Sequence, residues 1–230
     1  MTEALVLAGG LGTRLRQVVP GLPKPMAPVA GKPFLEILLN FLALKGFDRV
    51  LISIGFMADS ISGYFGNTFA GMELTYVIET SPLGTGGAVR LGLTRSTEDH
   101  VFIFNGDTFL DLEIDLVEQQ WQATKCPIII GREVIDTGRY GRMTTQGGRL
   151  TGFSDLRSDG PGLINAGCYV FKREQLSDFC LNKPFSLEAD YLCKLTPDVK
   201  IDVFVTGGLF IDIGVPHDYK KAQKLLVGYA

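Results

Sequence analysis

The run Ala8-Gly9-Gly10-Leu11-Gly12-Thr13-Arg14 follows directly on the apolar stretch Ala4–Ala8. Glycines between a strand and the next helix leave backbone N–H groups open to an anion. The same residues can also form a plain turn. The dinucleotide fingerprint fails, because Leu15 stands where a third glycine is required. The Walker pattern fails as well, because no Gly-Lys-Ser/Thr follows. Two cations favour the anion reading. Arg14 offers a planar fork to phosphate oxygens, and Lys24 a compact point charge. Lys24 stands between Pro23 and Pro25, which stiffen its backbone. This set suits a triphosphate; the alternative for Lys24 is a solvated loop lysine.

Two carboxylates have the setting of a cation site. Asp107, in Asn105-Gly106-Asp107, follows the apolar run Val101–Phe104. Asn-Gly alone can be a hairpin turn. At the carboxyl end of a parallel strand, however, it is where an α/β sheet binds its ligands. Asp212 sits in Phe210-Ile211-Asp212-Ile213-Gly214, apolar company in which a lone carboxylate needs a partner. Two carboxylates with phosphate oxygens and water describe a Mg²⁺ site. The chain has only two histidines, His100 and His217, both expected at the surface. Cys126, Cys168, Cys180 and Cys193 form no CxxC pair, so no zinc site is expected. They are read as reduced core thiols.

The elements that must carry these residues alternate along the first half. Ala4–Ala8, Val50–Ile54, Leu74–Glu79 and Val101–Phe104 read as buried strands. Between them Pro33–Leu44, stopped by Gly46, Ala58–Phe65 and Gly86–Arg95 read as helices. Such alternation implies parallel strands with right-handed crossovers. The second half is less regular. Helices are expected at Asp115–Ala123, at Ser186–Leu195 and from Pro216 onward. Strands are expected at Pro127–Arg132, Arg142–Thr145, Arg149–Phe153, Ile164–Phe171, Lys200–Val205 and Leu209–Asp212.

With 230 residues and no linker or repeat, one domain over 1–230 is expected, its nucleotide-binding first half completed by a sugar-phosphate-binding second half. A net charge of −3 gives no basic excess for a nucleic-acid backbone. No apolar run approaches the roughly 20 residues of a membrane helix. The opening MTEALVLAGG is too short and acidic for a signal peptide, so a cytoplasmic location is expected.

Several stretches taken together resemble the sugar-1-phosphate nucleotidyltransferase family. They are Leu7–Leu15, Pro23-Lys24-Pro25, Ser81–Ala88 (SPLGTGGA), Asn105–Thr108, Ile164–Gly167 and Asp212–Gly214. The motifs occur in family order and span nearly the whole chain. The resemblance implies an α/β, GT-A-like Rossmann fold whose mixed, mostly parallel central sheet is flanked by helices. It implies a Mg²⁺-dependent reaction that joins a nucleoside triphosphate to a sugar 1-phosphate and releases pyrophosphate. Lys24–Pro28, Gly31–Glu36, Arg139-Tyr140-Gly141 and Phe210–Tyr219 resemble the members that transfer GMP from GTP to a heptose 1-phosphate.

The resemblance also implies roles. Catalysis falls to Arg14, Lys24 and Asp107, and Mg²⁺ to Asp107 and Asp212. Nucleotide contacts fall to Leu7, Ala8, Gly9, Gly10, Gly12, Thr13, Arg14, Glu79, Gly84 and Thr85. For Glu79 the position speaks as well: at a strand end just before the Ser81–Ala88 loop it is either an exposed strand-end carboxylate or an acceptor for guanine N1–H and N2–H₂. Sugar-phosphate contacts fall to Asn105, Gly141, Asn165, Glu188 and Arg157. One departure stands out. Relatives place a Lys after Phe-x-Glu, whereas here Phe153-Ser154 is followed by Asp155-Leu156-Arg157. Arg157, Arg139 or Arg142 would have to replace that Lys.

Other readings keep or change the class. A uridylyltransferase for N-acetylmuramate 1-phosphate or a mannose 1-phosphate guanylyltransferase would share the fold and mechanism. A catalytically silent nucleotide-sugar sensor could dispense with the metal carboxylates. A dinucleotide oxidoreductase would want the missing glycine. The expected partners are GTP and a sugar 1-phosphate, and a homodimer is left open.

Overall fold

The short apolar run at the start becomes strand β1 (Glu3–Leu7), in which Ala4, Leu5 and Val6 have no exposed surface. A strand covered on both faces must sit in the middle of a sheet, and this one does. The computed structural model describes residues 2–10, 12, 15, 18–154, 160–194 and 199–230. After a single 3₁₀ turn at Lys24–Met26 come a small ribbon of β2 (Pro28–Val29) and β3 (Lys32–Pro33) and helix α1 (Phe34–Leu44). Gly46, at φ +83°, closes α1 in the left-handed conformation that suits glycine after a helix. Next follow β4 (Arg49–Ile54), α2 (Ala58–Phe65), β5 (Thr68–Phe69), β6 (Met72–Ile78), α3 (Gly84–Leu93) and β7 (His100–Asn105). The remainder is β8 (Thr108–Leu110), α4 (Ile114–Thr124), β9 (Ile128–Val134), β10 (Arg142–Gln146), β11 (Arg149–Ser154), β12 (Gly162–Lys172), β13 (Asp202–Thr206), β14 (Phe210–Asp212) and α5 (Pro216–Leu225).

Ten strands form one sheet in the order β10-β11-β13-β9-β12-β7-β1-β4-β6-β5. The block β7-β1-β4-β6 is parallel, as the alternation of strands and helices requires. The second half joins it through β12, which runs antiparallel to both β7 and β9. Alternate residues of the strands feed two cores. Val6, Ile52, Phe104 and Ile130 face the core built with α1, α4 and α5. Leu5, Leu51, Ile103 and Ile129 face the core built with α3. Trp121 of α4 is almost fully covered in the first core, so Trp121→Ala would cost about 3–5 kcal/mol.

Three expectations change, and one alternative is excluded. Ser186–Leu195 is not an α-helix: Ser186 caps a π-helical turn at Leu187–Tyr191, which tightens into a 3₁₀ turn at Leu192–Lys194, and Leu195 lies outside the described residues. The turn after Asn105 is not a hairpin, because β8 pairs with β14 rather than with β7. His100 is not a surface residue: its ring stacks on Trp121 at 4.8 Å and its two nitrogens meet Asp99 and Glu118. Only Cys168 is a core thiol; Cys126 is half-buried, Cys180 and Cys193 are exposed, and all four are free.

Candidate active site

The carboxyl ends of the parallel strands open into a cavity of about 610 Å³. Leu7, Ala8, Gly9 and Gly10 form one wall, Gly84 and Thr85 another, and Lys24, Glu79, Asn105 and Asp107 reach into it. Gly12 is not in the cavity wall; it takes φ +58°, and a Cβ there would press on the Cβ of Lys24 at 2.8 Å. Thr13, Arg14 and Arg157 lie outside the described residues.

Glu79, one residue beyond β6, has a fixed carboxylate. Its Oε1 accepts the hydroxyl of the fully buried Ser53 at 2.9 Å, and its Oε2 accepts the backbone N–H of Leu83 at 3.1 Å. A Cβ on Gly9 would overlap Oε1 and stand 3.2 Å from Cδ. Glycine is therefore what lets the carboxylate reach the cavity wall. Gly84 answers a different need. It takes φ +68°, and its α-carbon faces the Phe185 carbonyl, which a Cβ would meet at 2.6 Å.

The two aspartates meet through the β8–β14 ladder. Thr108 is in register with Asp212, and Ile213 donates its N–H to the Asp107 carbonyl at 2.9 Å. Lys24 Nζ bonds Asp107 Oδ2 and stands 3.9 Å from Asp212 Oδ1. Burial raises the Asp212 carboxyl above the ordinary carboxylate value, and the negative charge of Asp107 adds to the rise; Lys24, the Gly214 N–H and Arg139 oppose it. A second cation between these carboxylates would relieve that cost, so the residues fit a divalent ion. Among the described residues no group of three or more His, Cys, Asp or Glu side chains could hold a metal. Two protein carboxylates completed by phosphate and water oxygens are the pattern of Mg²⁺ rather than of a closed structural site.

Asn105 and Asp107 also line a second cavity of about 560 Å³. Gly141, Asn165, Glu188, Arg139, Tyr140 and Phe210 complete much of its wall. Of the arginines raised as substitutes for the missing lysine, Arg139 is in the wall and Arg142 is not. Arg142 turns away, donating to the Pro161 carbonyl at 2.8 Å. The Arg139 guanidinium pairs with Asp218, stands 3.5 Å from Asp212 and lies over the Tyr140 ring at 5.3 Å. Desolvation works against its charge, yet the carboxylate partners still raise its pKa.

The cavities are tied together by Thr85, whose hydroxyl donates to Glu188 Oε2 at 2.8 Å and accepts the Leu187 N–H at 2.9 Å. Sequence reasoning placed both residues at the site but missed this link, because the π-helical turn that aims Glu188 has no local signature. It also missed Asp218 and Tyr169. The spacing Asn165…Tyr169 inside an apolar strand was the available signal.

The sequence profile of the nucleotidyl transferase family matches residues 3–227. The D-glycero-α-D-manno-heptose 1-phosphate guanylyltransferase of Aneurinibacillus thermoaerophilus is 39% identical over 99% of both chains. The enzyme of the same name from Campylobacter jejuni is 36% identical over 94% of this chain and 96% of its own. Among solved structures, HddC from Yersinia pseudotuberculosis in complex with GMP-PN superposes with a TM-score of 0.86 at 34% identity, covering 97% of this chain and 99% of its own.

Proposed function

Because the chain belongs to the nucleotidyl transferase family, we propose that it transfers GMP from GTP to a sugar 1-phosphate, with D-glycero-α-D-manno-heptose 1-phosphate as the sugar, and releases pyrophosphate. The observation that carries this reading is the shared wall. Asn105 and Asp107 face both cavities, so a nucleotide in one and a sugar phosphate in the other would meet beside Asp107. The similarity to heptose 1-phosphate guanylyltransferases over nearly the whole chain supports the choice of base and sugar.

The chemistry asks little proton transfer of the protein. A phosphomonoester has a second pKa of about 6 and is largely dianionic at neutral pH, so its oxygen is already a nucleophile. That oxygen forms a bond to the α-phosphorus of GTP, in line with the breaking bond to pyrophosphate. Two anions must approach, and the protein's task is to position them and neutralise their charge. Lys24 would meet the phosphates once released from its carboxylate partners, and Arg139 would hold the sugar phosphate. Glu79 would accept the guanine N–H edge. Asp107 and Asp212 would hold Mg²⁺, which when bound neutralises phosphate oxygens.

No helix among the described residues is long and apolar enough to cross a membrane. We propose a cytoplasmic reaction because its substrate would be GTP, and sizing in solution decides whether the chain forms a homodimer.

The test is pyrophosphate release with Mg²⁺ across five nucleoside triphosphates, each paired with heptose, mannose, glucose and N-acetylmuramate 1-phosphates. Release confined to GTP with the heptose phosphate is expected. Preference for another pair would move the specificity and keep the mechanism. Folded protein that binds a nucleotide and releases no pyrophosphate with any pair would overturn the reading.

A further inference from the structure

Tyr169 is a fully buried phenol that lines neither cavity. Its hydroxyl nevertheless ends between two residues that do line one. Asn165 Nδ2 donates to it at 2.7 Å, and it donates to Glu188 Oε1 at 3.3 Å. A regular strand could not bring Asn165 and Tyr169 so close, since four residues span about 13 Å. β12 is irregular here. Asn165 pairs with Gly131 while Tyr169 pairs with Ile129, so four steps on β12 oppose two on β9. The surplus is taken up around Gly167, which has φ +70° and whose missing Cβ leaves room for the Asn105 side chain. The Gly167 N–H returns to Asn165 Oδ1 at 3.0 Å and pins the amide in this orientation. Bulges of this kind occur beside active sites because they re-aim side chains.

We propose that Tyr169 is a positioning residue for the sugar site: its hydroxyl joins Asn165 to Glu188 and sets the direction in which the Glu188 carboxylate receives hydroxyl donors of the sugar. This rests on the functional reading above. The donor chain runs one way, from the Asn165 amide through the phenol to the carboxylate, so each bond polarises the next. Glu188 Oε2 is engaged by the Thr85 and Ser186 hydroxyls at 2.8 and 3.1 Å. Oε1 receives only Tyr169 among the described residues, and a carboxylate oxygen accepts more than one bond. Its remaining lone pair is therefore available to a sugar O–H. Burial holds the phenol pKa well above its ordinary value, with Glu188 adding to the rise, so the proton that makes it a donor stays in place. The substrate class that follows is a sugar with a free hydroxyl at the Glu188 position. A deoxy analogue would leave that lone pair without its donor and bind poorly.

Tyr169→Phe keeps the ring and removes the hydroxyl. The expected result is a roughly tenfold rise in KM for the sugar 1-phosphate, as for the loss of one good hydrogen bond. KM for GTP and kcat should stay within about twofold, because the lost sugar contact acts equally in the ground state and the transition state. The double variant with Glu188→Gln separates positioning from packing. If Tyr169 acts through Glu188, adding Tyr169→Phe to Glu188→Gln changes the sugar KM by less than about twofold. Equal rises in both KM values, an unchanged sugar KM, or effects that simply add would overturn the inference. An unmodified protein inactive with every pair of the panel would instead overturn the functional reading, and this inference with it.

Discussion

Gly9→Ala is the sharpest test of how the first cavity reads a base. The new Cβ would overlap Glu79 Oε1 and stand 3.2 Å from its Cδ. The carboxylate must retreat by roughly 1 Å to restore ordinary van der Waals contact. That movement stretches the 2.9 Å bond from Ser53 beyond hydrogen-bonding range. Hydrogen bonds to a charged group are worth about 1.5–3 kcal/mol. If Glu79 receives the guanine edge from this position, a comparable loss appears in GTP binding. At about 1.4 kcal/mol per factor of ten, KM for GTP should rise roughly 10- to 100-fold. The preference for GTP over the other triphosphates should shrink with it. Stability should fall modestly, because losing the bond from the buried Ser53 costs about 1.5–3 kcal/mol and the backbone effect of alanine offsets only part of it. Gly9 has no positive φ, and an alanine compatible with its backbone narrows the unfolded ensemble by about 0.4–1 kcal/mol. The assay is pyrophosphate release against each triphosphate at saturating sugar phosphate, alongside thermal unfolding. An intact fold with GTP KM within twofold and an unchanged ranking of bases would refute the account of Glu79.

Asp107→Asn and Asp212→Asn should each lower kcat at least 100-fold and weaken Mg²⁺ binding measured by calorimetry in the presence of nucleotide, while the fold persists; near-normal Mg²⁺-dependent turnover would remove both from the metal site. Arg139→Ala should raise the sugar-phosphate KM tenfold or more with little change for GTP, whereas Arg142→Ala should lower Tm and spare both KM values. Burial pushes the Cys168 thiol far above its ordinary pKa, so a thiol reagent should reach it only on unfolding while the exposed Cys180 reacts in the native protein; rapid native labelling of Cys168 in a mass-mapped digest would contradict this.

Much was determined by local order along the chain. Short apolar runs ending in glycine mark strands buried on both faces, and their alternation with helical spacing commits the first half to a parallel sheet. Lys24 between two prolines, Asp107 just past a strand and Gly84-Thr85 at the start of α3 are legible because strand ends and helix starts are where such a sheet exposes its backbone. The family motifs share that locality.

What depended on pairing across the chain was not legible. Asp107 and Asp212 were paired by residue type and by the resemblance, but the ladder that makes them neighbours is three residues long, too short to leave an alternating pattern. Arg139 and Arg142 are chemically alike and three residues apart, and only the packing against Asp218, Asp212 and Tyr140 turns one toward the cavity. His100 has the composition of a surface residue, but α4 brings Trp121 and Glu118 over it. The π-helical turn that aims Glu188 and the bulge that brings Tyr169 to Asn165 are irregular backbones held by tertiary contacts. Periodicity reports the face on which a residue stands, whereas distances between elements far apart in sequence are decided only when the sheet closes its register.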